Sequence, residues 1–382
     1  MFKRHKVKIL FAINNLTYGG IQTQALTLAK EFQKKGAKIY FFWTTKYEED
    51  FVKKELIKNG FNIIDGRFIK DKFWGKYSWR LQRYVPLIKT ILLSRFYGFD
   101  YVIPYHDNLC HFFGTILPYT GAKKTIFHIR NTVLENKPRQ SWYLKKALHN
   151  QPVIIANSIH AGLKFQEVYG NSYNLNISTI YNGLRLRNID HSKNWKSFFG
   201  VDRYDFVVSS IANFFKEKDY STVFKAWKLF LESTNSNAVL LIAGDEGAEG
   251  MMKLYKQEVK QLGIDSNVIF LGRSFYNMEL LSITNCNILS TQNEGLPNVV
   301  IETIGIGAPF IGTNVEGVRE VVGENYPIPL FKVGNEEALC QTLTDFFDKK
   351  YDLDKIKKYS ALRFQKFSTE ALIKSYSKII KV

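Results

Sequence analysis

Short apolar runs alternate with helix-period segments along nearly the whole chain, and this alternation constrains the fold more than any other feature. Runs at Val7–Ile13, Lys38–Trp43, Phe61–Ile64, Tyr101–Pro104, Thr125–His128 and Val153–Ala156 read as strands. A second series follows at Phe206–Ala212, Ala238–Ala243, Val268–Leu271, Asn287–Ser290 and Pro309–Gly312. Amphipathic stretches lie between them. In the first, Ala25, Leu28, Ala29 and Phe32 share one helical face, and Gly36 ends it. Regular β/α alternation implies an α/β fold with parallel sheets covered on both faces. A polar stretch, Arg185 to Arg203, parts the two series and reads as the domain connection. At 382 residues the chain exceeds what one core usually organises, so two doubly wound, Rossmann-like domains are expected. Ligands bind such sheets beyond the carboxyl ends of the strands. Two such edges facing one another would make a cleft for two substrates.

Composition narrows the class. With 45% hydrophobic and 23% charged residues the chain is globular. No segment approaches the ~20 apolar residues of a membrane span. The basic start, Met1 to Lys6, leads into an apolar run too short for a secretory signal, and a first strand fits it better. Cys110, Cys286 and Cys340 are far apart, odd in number and without metal-ligand spacing, which suits buried thiols in a reducing compartment. The net charge of +18 favours anionic partners: nucleic acid, an acidic membrane or phosphorylated ligands.

The chemistry concentrates in Asn287 to Pro309, which reads as strand, tight loop, helix and a Gly-x-Pro break. Gly295 and Pro297 stiffen the loop, and Asn298 is placed to cap the helix. The amides and positive dipole end of such a helix suit a diphosphate. Glu294 at the strand tip and Glu302 a turn into the helix both face that edge. A carboxylate there accepts two hydrogen bonds from vicinal hydroxyls, as a ribose or a sugar offers. Taken singly, these acids would usually be a loop acid and a helix-surface acid. A glycosidase-type pair is a further alternative.

Glu294 and Glu302, in Asn293-Glu-Gly-Leu-Pro-Asn298 and spaced Glu-x7-Glu, resemble the signature of family 4 retaining glycosyltransferases with the GT-B fold. Supporting segments come in the same order: Tyr181-Asn-Gly183, Phe214-Phe-Lys-Glu-Lys218, Leu241-Ile-Ala-Gly-Asp245, Val268 to Gly272 and Gly317-Val-Arg-Glu320. The resemblance covers almost the whole chain. It implies an N-terminal acceptor domain, 1–186, rejoined by a last helix, 368–382, and a C-terminal donor domain, 187–367. It further implies that Lys218 contacts the donor diphosphate and that Glu302 binds the ribose hydroxyls. Glu294, with the loop Gly295, Leu296, Pro297, Asn298 and Val299 and the backbone N–H groups of its non-proline residues, would hold the transferred sugar and phosphate. The family often has Arg five residues before the lysine; here Asn213 stands there, exchanging a bidentate cation for an amide donor.

In the N-terminal half, Gly19-Gly20 follows the first strand and opens a helix. It resembles the family's Gly-Gly loop that touches the donor, and it reads equally as a plain strand-to-helix turn. Family members often carry a histidine after the fifth strand. His128 fits that role and is favoured over Arg130, two residues on along the same face, while His106 reads as structural or acceptor-side.

Between Arg67 and Arg95, eight basic residues interleave with Phe68, Phe73, Trp74, Tyr77, Trp79 and Tyr84. That pattern fits an acidic membrane surface, a nucleic-acid contact, or a core helix with a solvated basic face. The resemblance implies peripheral attachment at the cytoplasmic side of a membrane.

The resulting expectation is a glycosyltransferase moving sugar from a UDP-, GDP- or ADP-sugar to a lipid-linked or saccharide acceptor, with no nucleic-acid partner. Surface-glycan assembly (polysaccharide, capsule or lipopolysaccharide) is the class implied. Glu294, His128 and Lys218 are the catalytic candidates. With no Asp-x-Asp metal motif apparent beside the candidate site residues, neither metal nor cofactor is expected. The alternatives are a nucleotide-sugar epimerase or phosphorylase on the same fold, and a non-catalytic nucleic-acid binder.

Overall fold

The structure, a computed structural model, describes residues 6–16, 20–45, 50–69, 79–130 and 142–382. The chain divides into two compact units, Met1–Gly183 with Thr369–Val382, and Leu184–Ser368.

The first unit is built on a seven-stranded sheet ordered β3-β2-β1-β4-β5-β6-β7. Its strands are β1 (Lys8–Ile13), β2 (Lys38–Trp43), β3 (Asn62–Asp65), β4 (Tyr101–Pro104), β5 (Lys124–Ile129), β6 (Val153–Ala156) and β7 (Ile177–Thr179). Every pairing is parallel. The two-residue period of a strand divides its side chains between two cores. Ile9, Phe11 and Ile13 pack into one cluster with Leu28 and Phe32 of the helix Gly20–Lys34. Leu10 and Ala12 enter the opposite cluster with Phe42, Phe99 and Phe113. Each buried Leu, Ile or Phe among them contributes roughly 1.5–3 kcal/mol.

The last helix, Thr369–Ser377, belongs to this unit, with Leu372, Tyr376 and Ile380 in the first of those clusters. It crosses over Gly183, where a Cβ would stand 2.6 Å from Leu372 Cβ. A side chain at the end of the Tyr181-Asn-Gly183 motif would therefore push that helix away. Gln24 clamps the same glycine, donating to its carbonyl at 2.9 Å and accepting from its amide at 3.1 Å.

The second unit holds a five-stranded parallel sheet, β10-β9-β8-β11-β12. Here β8 is Phe206–Ile211, β9 Ala238–Ala243, β10 Val268–Gly272, β11 Cys286–Leu289 and β12 Phe310–Gly312. β8 and β9 are buried at every position, as expected of strands covered by helices on both faces.

The stretch Arg185–Arg203 is not a linker. The chain changes units at Gly183/Leu184, and the polar run is already part of the second unit. It folds around Trp195, which is buried and donates its indole N–H to the Asp190 carbonyl at 2.8 Å.

Candidate active site at the switch point of the C-terminal sheet

From β8 the second sheet winds one way through β9 and β10, and from β11 it winds the other way to β12. Connections leaving the carboxyl ends of two such strands diverge and open a crevice, the usual ligand site of an open α/β sheet. Lys218 lies on the connection leaving β8 and Glu294 on the one leaving β11. Their side chains meet as an ion pair, Nζ to Oε1, with 20% and 15% of each exposed.

Burial of neighbouring side chains fixes Lys218. Phe214 is fully buried, its ring 5.2, 6.0 and 6.1 Å from those of Tyr220, Tyr255 and Phe270. Beyond that plug the chain turns up, and Asp219 caps the helix Tyr220–Thr234, accepting from Thr222 Oγ1 at 2.6 Å. The Tyr255 hydroxyl donates to the Lys218 carbonyl at 3.1 Å. The β11 connection is sewn to this loop. Gln292 N and Thr291 Oγ1 both donate to the Glu217 carbonyl, at 2.9 and 3.1 Å. Thr313 Oγ1 donates to the Thr291 carbonyl at 2.9 Å and accepts from its amide at 3.1 Å. Main-chain bonds thus bring ammonium and carboxylate together before any ligand arrives. Burial pulls the Lys218 ammonium down to about 8, against the opposing influence of Glu217. It remains a cation at neutral pH.

Asn213 spends its Oδ1 on the next loop, accepting from Asp245 N at 3.0 Å, and offers Nδ2 as its donor. Lys216 is exposed on the same loop.

The helix Asn298–Gly305 begins at Pro297, which occupies the cap position with φ −73°. This corrects the reading of Asn298 as the cap: it is the first helical residue, and the proline ring sets the turn that enters the helix. No side chain caps this end, so the positive dipole end faces the crevice without a capping group. Leu296, buried, pins the loop beneath it.

Thr303 anchors the helix to the sheet. Its Oγ1 accepts from Asn287 Nδ2 at 3.1 Å, and Asn287 Oδ1 accepts from Ser209 Oγ at 3.0 Å. These three polar residues are fully buried at 0% exposure and join helix, β11 and β8, a connection that no sequence motif signals. Glu302, the neighbour of Thr303, is half-buried and hydrogen-bonded to Asn277. Burial raises its carboxyl to about 7, with Arg187 and Asn277 opposing the rise. Lys218, Glu294 and Glu302 therefore all lie on the carboxyl side of one sheet. The first two touch, and Glu302 meets the start of the helix Asn277–Ile283.

Gly317, in the helix Glu316–Val322, presses on the back of the loop. A Cβ there would lie 2.3 Å from the Glu294 carbonyl oxygen and 2.8 Å from that of Gly295.

In the N-terminal unit, Gly20 opens the helix Gly20–Lys34 while Gly19 lies outside the described residues. His106 accepts the Asn14 amide at 3.2 Å through Nδ1, tying the loops after β1 and β4. His128 is not the open, strand-tip histidine expected. It is buried, with Nδ1 2.7 Å from the Pro104 carbonyl and Nε2 2.5 Å from the Tyr376 hydroxyl. A carbonyl only accepts, so Nδ1 carries the proton and Nε2 takes the tyrosine's. Burial, then Arg130, hold the ring near 3, neutral and with both nitrogens engaged. Tyr376 stands 248 residues further along the chain, beyond the reach of local spacing arguments.

The two halves match two family models: residues 18–188 that of Glycosyltransferase Family 4, and residues 192–363 that of Glycosyl transferases group 1. The chain belongs to the family 4, group 1 glycosyltransferases. Among curated relatives of this glycosyltransferase, N-acetyl-alpha-D-glucosaminyl L-malate synthase of Bacillus anthracis is 28% identical over 209 residues. That match covers 54% of this chain and spans about half (54%) of the relative. Among solved structures, Anabaena HepE in complex with UDP and glucose superposes with a TM-score of 0.80 at 17% identity, covering 98% of this chain and 99% of HepE. WaaG, a glycosyltransferase involved in lipopolysaccharide biosynthesis, gives 0.70 at 13% identity, with 98% and 99% covered. These likenesses establish the GT-B fold class, with two Rossmann-like domains.

Proposed function

We propose that this glycosyltransferase moves a sugar from a nucleoside-diphosphate donor to an acceptor hydroxyl, with retention at the anomeric carbon, in the assembly of a surface glycan. The observation that carries this reading is the convergence of Lys218 and Glu294 at the switch point, beside a helix start without a side-chain cap. Lys218 and the amides of Gly295, Leu296, Asn298 and Val299 neutralise the diphosphate, Glu294 holds the sugar and Glu302 accepts from the ribose hydroxyls. The acceptor oxygen bonds to the anomeric carbon as the bond to the diphosphate oxygen breaks, and the acceptor's proton passes to that departing oxygen on the same face. Catalysis then rests on positioning and charge neutralisation by the chain's own groups. The complex of HepE with UDP and glucose supports a uridine donor, and WaaG supports the glycan class.

A membrane-bound acceptor fits the helix Trp79–Tyr97. Val85, Ile88, Leu92 and Phe96 form one exposed apolar stripe, with Phe96 83% exposed, and Lys89 lies 4.3 Å over the Phe68 ring beside it. Apolar residues flanked by cations suit the headgroup zone of an acidic bilayer, here the inner face of a cytoplasmic membrane. The basic and aromatic residues from Lys70 to Tyr77 lie outside the described residues. Among the described residues no helix is long and apolar enough to cross a membrane.

Thermal shifts with UDP-, GDP- and ADP-sugars test the donor, and sedimentation with anionic against zwitterionic vesicles tests the surface. Stabilisation by UDP-glucose and binding to anionic vesicles alone are expected. No shift with any sugar nucleotide would overturn the donor reading, and equal binding to both vesicles the membrane one.

The Glu302 carboxyl adds a pH signature. Its folded pKa, about 7, lies above the ordinary 4.5, so it costs stability as pH rises from 4.5 to 7. Ribose hydroxyls donating to it favour the charged form. Nucleotide binding should therefore release up to one proton near pH 6, and Glu302→Gln should abolish the release. Calorimetry in buffers of different ionisation enthalpy measures it; equal release by the variant would refute Glu302 as the ribose ligand.

A further inference from the structure

Arg130, the residue immediately after β5, is a partly exposed cation with no acidic partner among the described residues. Its guanidinium is held on two sides. Nη2 donates to Asn182 Oδ1 at 2.9 Å, and the group lies 5.1 Å over the Tyr105 ring. Among the described residues, one of its five N–H donors is thereby used, and the others have no partner there. A guanidinium that is half withdrawn from water and lacks a carboxylate is unfavourable until an anion completes it.

The next strand tip supplies an independent feature. Asn157, the first residue after β6, is 8% exposed, and its Nδ2 reaches toward the Arg130 carbonyl at 3.5 Å. Its Oδ1 is buried without a hydrogen-bond partner among the described residues. A buried carbonyl oxygen left so costs about 1–3 kcal/mol, which a donor hydroxyl would recover. Arg130 and Asn157 thus follow paired residues of neighbouring strands, Ile129 and Ala156, at the carboxyl edge of the N-terminal sheet.

We propose that Arg130 and Asn157 form an oxyanion site that recognises an acceptor carrying a phosphate or carboxylate next to a hydroxyl. Arg130 binds the anionic oxygens, and Asn157 Oδ1 accepts from the hydroxyl. The word acceptor rests on the transferase reading; the site itself does not. Asn182, within Tyr181-Asn-Gly183, becomes a positioning residue that aims the guanidinium.

The test uses the full chain, saturated with UDP so that Lys218 does not compete for anions. Affinities for glycerol 3-phosphate, inorganic phosphate and neutral glycerol are measured by calorimetry for the wild type, Arg130→Gln and Arg130→Lys. The wild type should bind glycerol 3-phosphate at least tenfold more tightly than glycerol, and more tightly than phosphate alone, which lacks the hydroxyl. Arg130→Gln should lose tenfold or more toward both anions, Arg130→Lys should recover part of it, and UDP affinity should not change. Equal glycerol 3-phosphate binding by the wild type and Arg130→Gln, or no anion binding by the wild type, would overturn the site. So would a lower melting temperature in Arg130→Gln with unchanged anion affinity, since that describes a purely structural arginine. Failure of every chain to bind UDP, with Arg130 still governing glycerol 3-phosphate binding, would sink the donor reading and leave this site standing.

Discussion

Lys218→Ala is expected to lower sugar-nucleotide turnover by about 10²–10³-fold, the usual consequence of removing one fixed charge-stabilising donor from a transfer site. Lys218 is the cation paired with Glu294 at the crevice, so the departing diphosphate would lose its nearest positive charge. The same change should destabilise the fold, because Glu294 is left largely buried and unpaired. Removing one member of a buried pair costs about 3–5 kcal/mol, and the lower end applies here because both side chains keep 15–20% exposure. The two effects separate in the double variant. Lys218→Ala with Glu294→Gln should regain most of the lost stability in urea unfolding and none of the lost turnover. Recovery of turnover in the double variant would show that Lys218 serves only to neutralise Glu294.

Gly317→Ala should have the next largest effect, although it touches no ligand. The added methyl would lie 2.3 Å from the Glu294 carbonyl oxygen, and backbone cannot yield as the end of a flexible side chain can. The loop from Glu294 to Gly295 has to move by several tenths of an ångström or more. Overpacking of this kind costs about 1–3 kcal/mol. Displacing a catalytic group by about 1 Å costs on the order of 10² in rate. Donor kinetics beside the unfolding midpoint will measure both. Unchanged kcat/KM would mean that the loop's position does not govern transfer.

The parallel sheets were legible because buried strands carry unbroken apolar runs. Lys38–Trp43, Tyr101–Pro104, Val153–Ala156 and Ala238–Ala243 begin and end where the apolar runs do. β7 escaped because Ile177, Ser178 and Thr179 form a short, largely exposed edge strand with no apolar run to mark it. The polar stretch after Arg185 concealed a folded segment because one tryptophan, Trp195, supplies its core. At the site, Lys218 and Glu294 were legible through the family resemblance of the segments that carry them. What places them was not. The bonds from Thr291 and Gln292 to Glu217, and the buried line Ser209–Asn287–Thr303, join residues whose types are commonplace anywhere on a chain. His128 was misjudged for the same reason. Its strand-tip position suggested a cleft-facing ring, but the last helix brings Tyr376 over it and seals it.

The most direct measurement is a crystal structure of the chain with a UDP-sugar or UDP bound. Diphosphate oxygens should lie within hydrogen-bonding distance of Lys218 Nζ, at the amides opening the helix Asn298–Gly305, with the ribose on Glu302. A nucleotide bound elsewhere, with the Lys218–Glu294 pair untouched, would contradict this placement.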